Sequence, residues 1–411
     1  MTRTERTYYV VWSSYNFSWS FLAPVYPLYL LSRGLDLFEI NCVLAVYLIT
    51  SFVFEVPTGA LADIAGRKTS FLLSCVIRMG AFALYFFAHG FVDCVIAEGI
   101  DAVGTTLASG ALDAWAVDSI RAEGGGQATD RFFTRAQMIA RTVMIFSGLA
   151  GGYIAQRNIA MPWLVAAAGF AVTGVVAAIF MREHPVVAAA GTRRERSLLR
   201  TVHEGLATVR RTPVLLLLCV LTLAVAFGTM PVNMTWQPRM QALTGEGTWL
   251  MGWIWALVNV ATIAGGALIP RLLGQYRREH VLMVVTVLRG GMLAVAGLVT
   301  TFVPALMGVL MMEIGFGLSE PVLQAWMNEH IEPEQRATVL SVRAMCFTLG
   351  GGTGLVCIGL VARDWGIPAA WVISATILAL TAPGFLILGR YAQRVAAPVV
   401  GERVKVVPSA G

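Results

Sequence analysis

Acidic and polar residues interrupt otherwise apolar runs, and their spacing limits what they could do. Glu98 and Asp101 are followed by Thr105 and Ser109, steps of three and four residues that place all four on roughly one helix face. Glu313, Gly317, Glu320 and Gln324 form a second stripe of this kind. Two carboxyl groups close together in low dielectric resist being ionised at once, so such a pair can take up and release a proton. Glu98, Asp101, Glu313, Glu320 and Glu55 are therefore candidates for proton coupling. The competing reading for Glu98 and Asp101 is a fixed ion pair with Arg78.

Other chemistries find little footing. His89, His184, His203, His280 and His330 are scattered, and the six cysteines show no C-x-x-C pair, so no metal site or disulfide framework is expected. No GxxxxGK[ST] loop is present, which leaves direct ATP hydrolysis without machinery. No catalytic residues and no bound cofactor are expected, and the chain reads as something other than an enzyme.

The elements that must position these residues follow from composition. The chain has 411 residues, 57% hydrophobic and 13% charged, with a mean hydropathy of +0.71. Soluble domains carry about 25% charged residues. Half that charge suits a lipid environment. A membrane helix takes roughly 20 apolar residues, and unpaired backbone in hydrocarbon is too costly for open strands. Apolar runs predict twelve helical spans near 8–31, 38–61, 69–89, 91–117, 133–156, 161–181, 213–238, 248–270, 281–301, 303–328, 337–361 and 367–389. The fold class is thus all-α and integral to the membrane, with two six-helix bundles. Residues 1–181 form the first bundle, 182–212 a cytoplasmic loop with a short amphipathic surface helix, 213–390 the second bundle, and 391–411 a cytoplasmic tail.

Orientation follows from the basic residues. With an internal N-terminus, the expected cytoplasmic segments hold 22 of the 30 Arg and Lys, including Arg67, Lys68, Arg193, Arg194, Arg277 and Arg278. This is the positive-inside pattern, and it places both termini in the cytoplasm. The first apolar run is too long for a signal peptide and lacks a small-residue cleavage site. The net charge of +6 is accounted for by an inner face against anionic lipid, with no nucleic-acid partner. The expected setting is the inner membrane of a bacterium, with the chain a monomer.

An internal repeat links the halves. Adding 211 takes Gly104–Ile120 (GTTLASGALDAWAVDSI) onto Gly315–Ile331 (GFGLSEPVLQAWMNEHI), with six of 17 positions identical. The same offset takes Arg78 to Arg289, Gly80 to Gly291, Pro27 to Pro238, and Asp118 to Glu329. Six spans per repeat give both halves the same orientation, related by an axis along the membrane normal. Such halves can rock and expose a central site to either side in turn.

Residues 59–68 read GALADIAGRK, a short turn between the second and third spans. Gly59 and Gly66 permit close approach and reversal. Asp63 can meet the N-terminus of a neighbouring helix, and Arg67, followed by Lys68, can pair with Asp118 at the inner end of the fourth span. Such contacts would hold that side closed and break when it opens. Here the sequence resembles the major facilitator superfamily of secondary transporters. GALADIAGRK, with Gly59, Leu61, Asp63, Gly66, Arg67 and Lys68, matches that superfamily's loop signature, and the resemblance covers residues 8–390. It implies a central cavity lined mainly by spans 1, 4, 7 and 10. SGALDAWAVD at 109–118 looks like the inner end of the fourth span in a branch of proton-linked drug exporters. The second-half counterpart, GGALIPRLLGQYRR, has Arg271 where the acid would stand. SGLAGG at 147–152 has Gly148 in place of the proline of the antiporter signature.

The cavity candidates follow. Span 1 offers Trp12, Tyr15, Trp19 and Tyr26, and span 7 offers Met230, Asn233 and Trp236. Aromatic and methionine side chains suit bulky amphipathic molecules, although helix packing and interfacial anchoring explain them as well. Thr105 and Gln324 complete the polar stripes. The resemblance puts Arg78 and Arg289 toward the periphery as structural residues, and Arg141 and Arg343 nearer the rocking interface. A central arginine pocket would favour an anion; unpaired acids would favour proton coupling and cationic compounds. The expected function is proton-coupled export of a small, drug-like organic compound, driven by the proton gradient. The alternatives are transport of a specific metabolite or organic anion, and a receptor or scaffold that moves nothing.

Overall fold

The computed structural model describes residues 2–123, 130–183, 212–330 and 333–396. Fourteen helices and no strand occur among the described residues. In chain order they are α1 (Arg3–Ser20), α2 (Tyr26–Ser32), α3 (Leu37–Ala65), α4 (Arg67–Phe87), α5 (Phe91–Ala108), α6 (Ala111–Ala122) and α7 (Asp130–Arg157). Then come α8 (Met161–Phe180), α9 (Pro213–Thr229), α10 (Val232–Thr244), α11 (Thr248–Leu273), α12 (Arg278–Leu298), α13 (Phe302–His330) and α14 (Pro333–Ala396).

Fourteen helices make twelve crossings because three crossings are broken and one helix holds two. The first crossing is α1 with α2, interrupted at residues 21–25. The fourth is α5 with α6, parted at Gly110 (φ 68°). The seventh is α9 with α10, parted at Pro231. Gly366, at φ 86°, folds α14 into two arms; a side chain there would be strained, so glycine sets the turn. The crowded joints of the sequence are real turns, Ala88–Gly90 and residues 299–301. Nine helices or helix pairs among the described residues are long and apolar enough to cross a membrane. The observed boundaries fall within a few residues of the expected spans at most ends. The expected surface helix in 182–212 and most of the tail from 397 lie outside the described residues.

Helix starts follow from the sequence. Asp36 caps α3 by accepting from the Glu39 amide while Glu39 returns a bond to the Asp36 amide, and Thr2 and Glu5 do the same for α1. Outward faces are apolar: Ile64, Val92, Phe146, Leu298 and Leu380 are each well over half exposed, as a lipid-facing surface requires. Lipid gives no hydrophobic drive between helices, so they associate through close packing. A methyl at Gly151 would overlap the Phe21 carbonyl, one at Gly317 the Thr262 carbonyl, and one at Gly354 the Phe227 carbonyl. The architecture is the twelve-helix, two-bundle membrane fold expected from the sequence.

Candidate functional site

A cavity of about 600 Å³ opens within the second half, walled by α9, α10, α12, α13 and both arms of α14. Leu218, Leu221, Val225, Phe316, Phe347 and Phe385 are part of its apolar surface. Thr222, Thr286, Asn233 and Ser319 add neutral polar groups, and Arg289, Glu313, Glu320 and Arg343 add charge. A smaller space of about 170 Å³ shares Asn233, Met312, Glu313 and Phe316 with it and reaches Arg141 of α7, together with Trp236, Trp255, Asn259 and Thr262. The stripe on span 10 therefore does line a cavity, as its spacing implies.

The charges are unevenly partnered. Arg343 Nη2 donates to both carboxylate oxygens of Glu320 at 2.7 and 2.9 Å, and Gln324 Nε2 donates to Glu320 Oε1 at 3.2 Å. Glu313 Oε2 accepts from Thr262 at 3.5 Å. Arg289 is 5% exposed, lies over the Phe316 ring at 5.6 Å, and its Nε has no hydrogen-bond partner. The sequence reading put Arg289 at the periphery. The structure corrects this, because α12 turns that side chain into the bundle.

The first-half stripe is differently placed. Glu98 and Asp101 do not form one dyad. Asp101 is held by Arg78, with Nε to Oδ1 at 2.7 Å and Nη2 to Oδ2 at 3.1 Å, while Arg78 Nη1 donates to the Tyr15 hydroxyl at 2.7 Å. Glu98 Oε2 accepts from the Tyr85 hydroxyl at 2.5 Å. Tyr85 stacks on Trp163 at 3.9 Å, and its hydroxyl lies 3.2 Å from that of Tyr26. Glu98 is thus enclosed by aromatic hydroxyls, with no ion pair among the described residues.

The aromatic candidates of span 1 consequently do not line either cavity. Tyr15 is buried against Phe71 and Phe170, and Trp12 stacks between Tyr8 and Tyr15. Tyr26 packs on Trp163, and Trp19 meets Trp255 edge-on at 6.3 Å. Thr105 donates to the Asp101 carbonyl. Tyr15 sits in the first-half core, and Trp12, Trp19 and Tyr26 pack against that core. Among the span 7 candidates, Met230 and Asn233 line the larger cavity and Trp236 the smaller.

At the motif, Gly66 adopts φ 94° between α3 and α4. Arg67 Nε donates to Asp118 Oδ2 at 3.0 Å, and Arg67 Nη2 lies 3.3 Å from Asp63. Lys68 Nζ donates to the Ala178 and Met181 carbonyls at the end of α8. Ser109, at the break of span 4, donates to Glu55 at 2.9 Å. The expected Arg67–Asp118 pair is present, and it joins elements of one half. Asp63 pairs with Arg67, and its expected meeting with the N-terminus of a neighbouring helix lies outside the described residues.

Among the described residues, five hydrogen-bonded pairs join the halves, all away from the motif, and Thr248 takes part in two of them, with Gln156 at 3.3 Å as one partner. Gln237 donates to the Ala23 carbonyl, Thr248 to the Gly152 carbonyl, Trp253 to the Tyr153 hydroxyl and Trp255 to the Ser20 hydroxyl. A methyl at Gly152 would come within 2.9 Å of the Gly252 amide and the Thr248 carbonyl. At the motif end, Phe52–Pro57 of α3 are six consecutive exposed residues. That run exceeds one turn of 3.6 residues, so every face is bare, whereas Ile40–Ala45 nearer the other end alternate with buried positions.

Comparisons with known proteins agree with this geometry. The model of the Major Facilitator Superfamily matches residues 13–354 and 251–408. The MFS-type transporter YxaM of Bacillus subtilis (strain 168) is 23% identical over 361 residues, 87% of this chain and 88% of that protein. A mutant of the nucleoside transporter NupG superposes with a TM-score of 0.82 at 14% identity, covering 94% of this chain and 99% of that one. A bacterial homolog of the human lysosomal transporter Spinster, inward-facing and unoccupied, gives 0.68 at 12% identity over 98% of both chains. With GALADIAGRK at its turn and a cavity within a twelve-helix bundle, the chain belongs to the Major Facilitator Superfamily: a multi-pass membrane transporter and not an enzyme.

Proposed function

We propose that the chain moves a small amphipathic organic compound by alternating access, with residues 1–181 and 213–390 as the two rocking units. The observation that supports this most is the pairing of a roughly 600 Å³ cavity with an interface tight at one end and bare along α3 at the other. On the basic-residue count, the bare end faces the cytoplasm, so this is the inward-facing state, with both termini inside a bacterial inner membrane. The chain acts as a monomer, and the proton gradient drives it.

Proton-coupled export is the finer form of this proposal. Glu98 supports it: a buried carboxyl held by Tyr85 and Tyr26 hydroxyls can exchange a proton without breaking an ion pair. The likeness of residues 109–118 to drug exporters gives the direction. Asp101 is set aside from coupling, since Arg78 occupies it. The cavity walls, mainly aliphatic with Phe316, Phe347 and Phe385 among them, suit a compound with an apolar body that includes a flat ring.

The test is reconstitution of the full chain in liposomes loaded with a pH-sensitive dye. Compounds from an amphipathic panel should produce proton movement opposite to their own. Accumulation of compound with no proton movement would remove the coupling; binding with no passage under any gradient would leave only a receptor.

A further inference from the structure

The two buried arginines related by the 211-residue repeat have different surroundings. Each is clasped by an equivalent glycine: a methyl at Gly104 would lie 2.6 Å from Arg78 Cγ, and one at Gly315 would lie 2.5 Å from Arg289 Cγ. The two side chains therefore leave their helices against matching notches on the neighbouring span. Beyond that point the symmetry stops. Arg78 spends its donors on Asp101 and Tyr15 and lies over the rings of Phe170, Tyr15 and Phe82. In the second half the same offset puts Met312 at the place of Asp101 and Ala226 at that of Tyr15.

Arg289 is consequently a guanidinium built into a buried notch with its carboxylate left out. Among the described residues, no hydrogen bond or ion pair reaches it, its Nε is buried and unpartnered, and it lines the larger cavity. Glu313 and Glu320 lie within electrostatic reach of it, yet neither bonds to it, and a buried charge without a bonded partner is costly in a membrane and marks a site. The surrounding charges leave room for one more anion. Arg141, Arg289 and Arg343 face the joined cavities against Glu313 and Glu320, and Glu320 is already taken by Arg343. The excess is one positive charge.

We infer that Arg289 seats the carboxylate of an organic monoanion, which occupies in the second half the place that Asp101 holds in the first. A guanidinium offers two parallel donors to such a group. Thr222, whose buried hydroxyl has no partner, stands by as a neutral donor, while Phe316 and Phe347 receive the apolar body. This rests on the proposed transport function for its cavity and deepens it by giving the substrate a charge.

The experiment uses the purified full chain in detergent, with no gradient, and follows its thermal unfolding midpoint. Benzoate, benzamide and benzylamine are titrated as probes of nearly the same shape and different charge. Benzoate should raise the midpoint saturably and the other two should not. Arg289→Gln should weaken the benzoate response at least tenfold. Met312→Asp should raise the midpoint with no ligand present and abolish the response, since an internal carboxylate then fills the notch. In the Arg289→Gln background, Met312→Asp should instead lower the midpoint. Equal responses to benzoate and benzamide, no response to benzoate, or an undiminished response in Arg289→Gln would each overturn the inference. Failure of transport in liposomes with an Arg289-dependent benzoate response in detergent would sink the transport proposal alone.

Discussion

Arg78 and Asp101 share two hydrogen bonds while each side chain is only 7% exposed. Removing one member of such a pair strands the other charge, at a cost of about 3–5 kcal/mol. Asp101→Asn should therefore reduce folded protein, seen as a lower unfolding midpoint and poor gel-filtration recovery. The double variant Arg78→Leu with Asp101→Leu should recover much of the loss. Normal folding of Asp101→Asn with selective loss of uptake would return Asp101 to the coupling site.

Glu98 presents the opposite case. Glu98→Gln keeps an oxygen that accepts from Tyr85 and removes only the exchangeable proton. The variant should fold with an unchanged midpoint and still bind compound. Substrate-driven proton movement in liposomes should fall to background, and uptake rates should lose their dependence on external pH. Intact proton movement would exclude Glu98 from coupling.

The glycines at the closed end should control the conformational balance. Gly152→Val places methyl groups against the Gly252 amide and the Thr248 carbonyl, where neither backbone can retreat without parting the halves. A cysteine replacing Thr248, which is 8% exposed, should then react at least several-fold faster with an external maleimide. The measurement needs a background without the native cysteines. Equal labelling with and without Gly152→Val would show that this contact is not a gate.

Arg67 and Asp118 are 24% and 44% exposed, so solvent screens their attraction. Such pairs contribute about 0–1 kcal/mol. Asp118→Asn and Asp63→Asn should each leave the unfolding midpoint nearly unchanged while slowing compound exchange several-fold, because they orient Arg67 at the α3–α4 turn. Exchange at the normal rate would reduce the motif to a packing feature.

Much of the fold was legible because hydrocarbon permits few solutions: apolar runs of the right length had to be helices, and even the tight joints near 90 and 300 could be placed. The Arg67–Asp118 pair was readable from motif spacing, and the span 10 stripe from helical periodicity. What escaped was direction. The rings at Trp12, Tyr15 and Tyr26 looked suited to a cavity, yet each finds another ring or hydroxyl inside its own half. Periodicity says which residues share a face; it does not say whether that face is already satisfied. Arg289 was missed for the converse reason. Its significance lies in what stands across from it, and the one written sign was a methionine at 312 where the repeat would have put an acid.

The notches at Gly104 and Gly315 each hold an arginine stem, but only Arg78 is bonded to a carboxylate there, which makes the two halves unequal in a way their repeated sequence conceals. In the first, Arg78 and Asp101 neutralise each other and the rings around them interlock. The second is hollow and electrically incomplete. New specificity can therefore arise by changing residues between 213 and 391 without disturbing the packing of the first half.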